Sequence, residues 1–184
     1  MVIIMVGICK LALKGCTAKT HPASDIFVVN GTTGYDGGFN KLIDLMGVNG
    51  LPFYKSNIQR GNQGPEGLIA KNDVIIIKVN SQWDERGGTN TDLLKEIIDA
   101  IIRHPDGFAG EIVVADNGQA QYGSTGGGGS LNYENNNAED HSQSVQKVVD
   151  MFSDSHKIST YLWDNITLKK VNEYSDGDME DGYC

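Results

Sequence analysis

Apolar residues along the chain fall into blocks of two periods. Residues 24–30, "SDIFVVN", are a short β-branched and aromatic run between polar residues, which predicts a strand. "FNKLIDLMG" follows, with Phe39, Leu42, Ile43 and Met46 three and four apart on one helical face, and Gly47 is expected to stop that helix. Residues 74–79, "VIIIKV", are nearly continuous in aliphatic side chains. A strand with one wet face alternates, so this run predicts a strand covered by helices on both faces. In "TDLLKEIIDAIIRHP" paired aliphatic residues recur every four positions, giving a helix with a wide apolar stripe. Thr91 is its expected N-cap, and Asp92 sits in the first turn, where the helix dipole favours an anion. Arg103 and His104 close the last turn and Pro105 ends it. A third strand is expected at 112–115. A third helix follows in "HSQSVQKVVDMF", with Val145, Val148, Val149 and Phe152 on one side, and a fourth strand in "KISTYLW".

Strands alternating with helices call for a mainly parallel sheet with right-handed crossovers, hence an α/β fold, three-layer and Rossmann-like. The domain is expected over 25–184, behind a signal-like apolar segment and polar tether at 1–24. It ends without a final helix or cap, which reads as a domain incomplete at its C-terminus. Two connections break the alternation. Residues 48–67, with Pro52, Pro65 and four glycines, read as a long surface connection, and "LIAKND" as a last helical turn before the second strand. Residues 118–140, with "GSTGGGGS" and "NYENNN", are too long for a plain loop and read as a flexible insertion. The glycines lack the GK[ST] and the following helix of a phosphate cradle.

Composition narrows the function classes. A net charge of −9, with the basic residues scattered, argues against nucleic acid, whose binding needs clustered Lys and Arg. Cys9, Cys16 and Cys184 lie at the extremities and form no CxxC pair, so neither a zinc ribbon nor an iron–sulfur cluster is expected. The four histidines are isolated and read as surface or loop residues. The tail "NEYSDGDMEDGYC" has the outline of a calcium loop but lacks glycine at the sixth position and a twelfth ligand, so it reads as a solvated acidic tail. At the other end, "MVIIMVGICKLALKGC" closes on the Leu-x-Gly-Cys outline of a lipoprotein processing site, although Lys10 and Lys14 interrupt it and no basic segment precedes it. It is too short and too charged to span a bilayer. Three readings stay open: a truncated lipoprotein signal with a lipid anchor at Cys16, a mis-assigned start, or a plain first strand. The first places the protein outside the cytoplasm on a membrane; otherwise it is cytoplasmic.

Candidate chemistry gathers where the strands end. Lys78 and Asn80 project to one side, at the carboxyl end of their strand. Ligands of open parallel sheets bind in the crevice outside those ends. Asp116 and Asn117 follow the next strand, and the helix start at Thr91 and Asp92 opens onto the same rim. A buried ammonium without a partner costs several kcal/mol, so Lys78 needs one, with Asp116 or Asp92 the candidates. The set reads either as a structural ion pair or as a site for a small anionic molecule. Alternatively Asp92 and Asp116 hold a divalent metal, with Asn80 or Asn117 as neutral oxygen ligands. Trp83, on the loop with Asp84 and Arg86, either stacks on a planar ligand or packs on the domain. No nucleophile–base pair is visible, and Ser81 has no GxSxG context.

The order "DVIIIKVNSQW", "GTNTD", a long helix, then "HPDGFAGEIVVADNGQ" resembles the family catalogued as domain of unknown function 362, in which a strand ending I-K-P-N leads to Thr-Asp at a helix start and the next strand ends in an acidic residue. Here Val79 replaces the proline. "NGTTGYDGGFNKLIDLMG" resembles the family's opening unit, so the likeness covers roughly residues 25–119. It implies an α/β fold and singles out Lys78, Asn80, Thr91, Asp92 and Asp116. The family's association with iron–sulfur segments does not carry over, because the cysteine cluster is missing. Three functions follow as expectations: a polar small-molecule or metal site, whether or not enzymatic; a non-catalytic surface module with a structural Lys/Asp network; or a fragment of a longer enzyme.

Overall fold

The computed structural model describes residues 2–4, 25–81, 88–116, 131–134 and 138–162. Cys9, Cys16, Cys184, the loop residues Trp83, Asp84 and Arg86, Asn117, the glycine-rich run and the acidic tail lie outside them.

A parallel sheet of β5 (Val74–Lys78), β6 (Glu111–Asp116) and β7 (Ile158–Leu162), in that order, carries the frame. Ile75 stands opposite Ile112, and Ile112 opposite Ile158. α2 (Thr91–Ile102) joins β5 to β6, and α3 (Val145–Ser153) joins β6 to β7. The sheet grows in one direction, so right-handed crossovers put both helices on the same face. There Ile112, Val114 and Ile158 pack with Leu94, Ile98 and Ile101 of α2 and Val148 and Val149 of α3. Phe39, Leu42, Ile43 and Met46 of α1 (Gly38–Val48) complete one continuous core. Each such side chain contributes about 1.5–3 kcal/mol on full burial. The α/β class and the parallel sheet are as expected.

Four details differ from the sequence expectation. First, β5 is not covered on both faces: Val74 and Ile76 remain 68% and 62% exposed. Of the two helix layers of a three-layer arrangement, the described residues supply one. Second, the first predicted strand, β2 (Phe27–Val29), does not join the parallel sheet; it pairs antiparallel with β1 (Val2–Ile4), Val28 opposite Ile3. Third, the connection at 48–67 is not a surface loop. It forms a two-residue parallel pair, β3 (Tyr54–Lys55) with β4 (Gln63–Gly64), and buries Phe53 and Tyr54 in the core. The helical turn expected near 68–73 is replaced by an extended stretch at Ile69, where the Lys55 N–H donates to the Ile69 carbonyl at 2.7 Å and Ile69 bridges Tyr54, followed by a tight turn closed by the Asp73 N–H on the Ala70 carbonyl. Gly67 permits this, because a Cβ there would overlap the Tyr54 carbonyl. Fourth, α1 runs through Gly47 to Val48; that glycine serves close packing, since a Cβ would lie 2.7 Å from the Gly61 carbonyl.

His104 is not a surface histidine either. It is buried against Tyr54, with ring centroids 5.3 Å apart. Its Nδ1 accepts from the Asp106 N–H at 3.1 Å, which leaves Nε2 to donate to the Ile69 carbonyl at 3.0 Å. Nε2 thus fastens the 52–71 segment to the end of α2, while Nδ1 holds the turn that follows the helix.

Candidate functional site at the carboxyl edge of the sheet

Register sets the site. Lys78 lies opposite Ala115 on β6, so Asp116 stands one residue further along, at the carboxyl edge. The Lys78 ammonium reaches over the strand end to pair with Asp116 Oδ1 and donates to the Val79 carbonyl at 2.6 Å. Asp116 Oδ2 accepts from the Ser81 N–H at 2.6 Å and the Ser81 hydroxyl at 2.8 Å. The two partners differ in exposure: the Lys78 side chain is 54% exposed, that of Asp116 only 3%. A buried carboxylate thus holds a half-exposed ammonium at the edge, with two of its three donors used among the described residues. Such a group can donate hydrogen bonds and positive charge to an anion or a polarised carbonyl.

The β5-to-α2 connection is tied at its base. The Asn80 N–H donates to Thr89 Oγ1 at 2.7 Å, and the Thr89 N–H returns to the Asn80 carbonyl at 3.0 Å. The N-cap of α2 is Asn90 rather than Thr91: Asn90 Oδ1 accepts from the Leu93 N–H at 3.0 Å, while Thr91 is the first helical residue and is buried.

Asp92 belongs to a different cluster. Its Oδ1 accepts from Gln143 Nε2 at 2.8 Å and its Oδ2 from the Glu139 N–H at 2.7 Å. These bonds fasten the start of α2 to the chain leading into α3, and Asp92 is buried. Lys78 and Asp116 are therefore brought together as expected, and Asp92 faces other partners. Both oxygens of each proposed metal-binding carboxylate accept from donors of this chain. Among the described residues, no three His, Cys, Asp or Glu side chains come together to hold a metal ion.

A groove of about 280 Å³ beside α2 is lined by Tyr35, Asp92, Lys95, Glu96 and Phe152 but by neither Lys78 nor Asp116. Its acids are occupied within the fold. Glu96 accepts from the Gly37 and Phe39 N–H groups and so caps α1 in place of the side chain that Gly37 lacks. Asp99 pairs with Arg103 at 3.0 Å.

Sequence reasoning missed Ser81, Glu139 and Gln143. Ser81 was within reach, being the first hydroxyl after the strand that carries Lys78. Gln143 gave no signal, because it lies 51 residues from its partner. Comparison with protein-family models, curated proteins and solved structures gave no match. The functional reading of this edge therefore comes from its own geometry.

Proposed function

We propose that the carboxyl edge of the sheet binds a small anionic molecule, with Lys78 as the group that meets it and Asp116 as the group that positions Lys78. The observation that carries this reading is the half-exposed ammonium gripped by a buried carboxylate. In this reading Asn80, two residues beyond Lys78, lies at the same strand end with its N–H on Thr89 Oγ1, and Asn117 directly follows Asp116 in the chain. The place is the one that parallel α/β sheets use for ligands. Resemblance to domain of unknown function 362 supports the same residues, since Lys78, Asn80, Thr91, Asp92 and Asp116 are its motif positions. The reading is one of binding, and no reaction is assigned.

A second reading has its own observation: Asp116 accepts from both donors of Ser81 as well as from Lys78, which ties β5 to β6 with no ligand. The two part on native mass spectrometry with elemental analysis of the purified chain. A small anion retained on the protein, and released when Lys78 is replaced, supports binding. A bare mass without metal or anion, unchanged on adding inorganic phosphate or a short dicarboxylate, favours the structural network. A divalent metal in place of the anion would shift the reading to Asp116 as a metal ligand. The lipid anchor at Cys16 is a separate proposal, which the mass of the N-terminal peptide from cells tests. No helix among the described residues is long and apolar enough to cross a membrane.

A further inference from the structure

The tripeptide Val-Asn-Gly occurs twice, at Asn30 and at Asn49. In an Asn-Gly pair the glycine nitrogen can reach the asparagine side chain readily, because glycine has no Cβ to obstruct the approach. With the local sequence identical, what holds the two groups decides whether they react. Asn49 is the C-cap of α1, and Gly50 follows it at φ 82°. The Gly50 N–H donates to the Gly47 carbonyl at 3.1 Å and the Leu51 N–H to the Met46 carbonyl at 2.9 Å, the paired bonds of a Schellman ending. The Asn49 side-chain amide donates to the Leu45 carbonyl at 2.8 Å. Both reacting groups are therefore fastened to the last turns of the helix. Asn30 directly follows β2, and both it and Gly31 are exposed. Gly31 has φ 71° with open space where a Cβ would stand. Neither the Asn30 amide nor the Gly31 N–H has a hydrogen-bond partner among the described residues.

We propose that Asn30 is a site of spontaneous deamidation, and that the helix ending protects Asn49 from the same reaction. The Gly31 nitrogen attacks the side-chain carbonyl carbon of Asn30, and the new C–N bond closes a succinimide. The side-chain nitrogen leaves as ammonia and takes up the proton that the Gly31 nitrogen gives up. Water then opens either C–N bond of the ring, giving aspartate or isoaspartate, with no change of oxidation state. Each product places a carboxylate at the end of β2 in a chain whose net charge is already −9. Isoaspartate also routes the main chain through the former side chain, ahead of the loop that carries Gly37 to its bond with Glu96. The inference is independent of what the carboxyl edge binds.

Peptide mapping by mass spectrometry tests it, on the full chain held in warm, mildly alkaline buffer made with heavy-oxygen water. Opening of a succinimide during the incubation leaves heavy oxygen in that site's peptide, and digestion in ordinary water adds none. A parallel sample in urea gives the rate of each site without structure, and circular dichroism checks that the first sample stays folded. In urea, Asn30 and Asn49 should convert at similar rates, since their flanking residues are the same. In the folded chain Asn30 should keep nearly its urea rate, whereas Asn49 should slow about tenfold or more, because its hydrogen bonds must open first. Asn30→Gln should remove the label from its peptide and leave the Asn49 rate unchanged. Asn117, which also precedes a glycine, lies outside the described residues and is scored on its own peptide. Folding that slows Asn30 as much as Asn49, or a folded chain in which Asn49 converts as fast as Asn30, would overturn the proposal.

Discussion

Asp92 and Asp116 are alike in burial, and one stands in the first turn of a helix that follows a strand while the other is the last residue of a strand, yet they are held in different ways. Asp92 accepts from two neutral amide donors, Gln143 Nε2 and the Glu139 N–H, and joins two helix starts. Asp116 accepts from Ser81 and from an ammonium that stays half in water. The first arrangement faces inward, and its location at a helix N-terminus supplies the favourable field. The second keeps a charged group available at the surface. Two buried carboxylates near one edge are therefore not one site. What separates them is whether the partner has donors left for something else.

The largest expected effect breaks the comparison at its strongest point. Asp116→Ala leaves Lys78 and both Ser81 donors without their acceptor and should cost about 3 kcal/mol in urea unfolding, against about 2 kcal/mol for Asp92→Ala. Replacement by asparagine sharpens the contrast. At position 92 an amide oxygen still accepts one neutral donor, so Asp92→Asn should recover about half of the alanine loss; Asp116→Asn, which removes the charge that holds Lys78, should recover less. Equal recovery at both positions would mean that the charge on Asp116 does no more than that on Asp92. Ser81→Ala removes one of two donors to Oδ2 and keeps the backbone one, so its cost should be about 1 kcal/mol.

Tyr54 gives a control away from both carboxylates. Burial, reinforced by the negative charges of Asp44 and Asp99, pushes its phenol up to about 12 from 10. Its hydroxyl donates to the Ala100 carbonyl at 2.9 Å. A raised folded-state value means that the stability is fully present below pH 10 and is lost as pH climbs from 10 towards 12. Tyr54→Phe should flatten that alkaline decline, measured by urea unfolding at a series of pH values, and leave the ranking of the Asp116 and Asp92 variants unchanged.

Much of the frame was legible. The i, i+3, i+4 spacing fixed α1, α2 and α3 to within a few residues, because each buries one stripe in the same core. Lys78 and Asp116 were legible as partners because parallel strands in register carry their ends to one edge. Other features had no periodic signal. Residues 52–71 fold inward through Phe53 and Tyr54, which pack on Phe39 of α1 and on His104 at the end of α2 from an irregular stretch. The N-cap slipped by one residue because Asn90 and Thr91 can both cap, and only the geometry places the Asn90 oxygen against the Leu93 N–H. The continuous aliphatic run of β5 did not reveal its bare face, since an uncovered Val or Ile reads in sequence like a covered one.

The central claim is that Lys78 is held for a ligand rather than for the fold, and Lys78→Met tests it most directly through melting curves with and without inorganic phosphate, a short dicarboxylate or magnesium. Loss of the Lys78 ammonium leaves the buried Asp116 carboxylate to its two Ser81 donors, so it should cost about 1–2 kcal/mol. The account predicts that phosphate or the dicarboxylate raises the melting temperature of the parent chain, and that Lys78→Met melts within a few degrees of the parent but no longer responds. A variant that melts far lower, in a chain whose parent responds to none of the three, would contradict it.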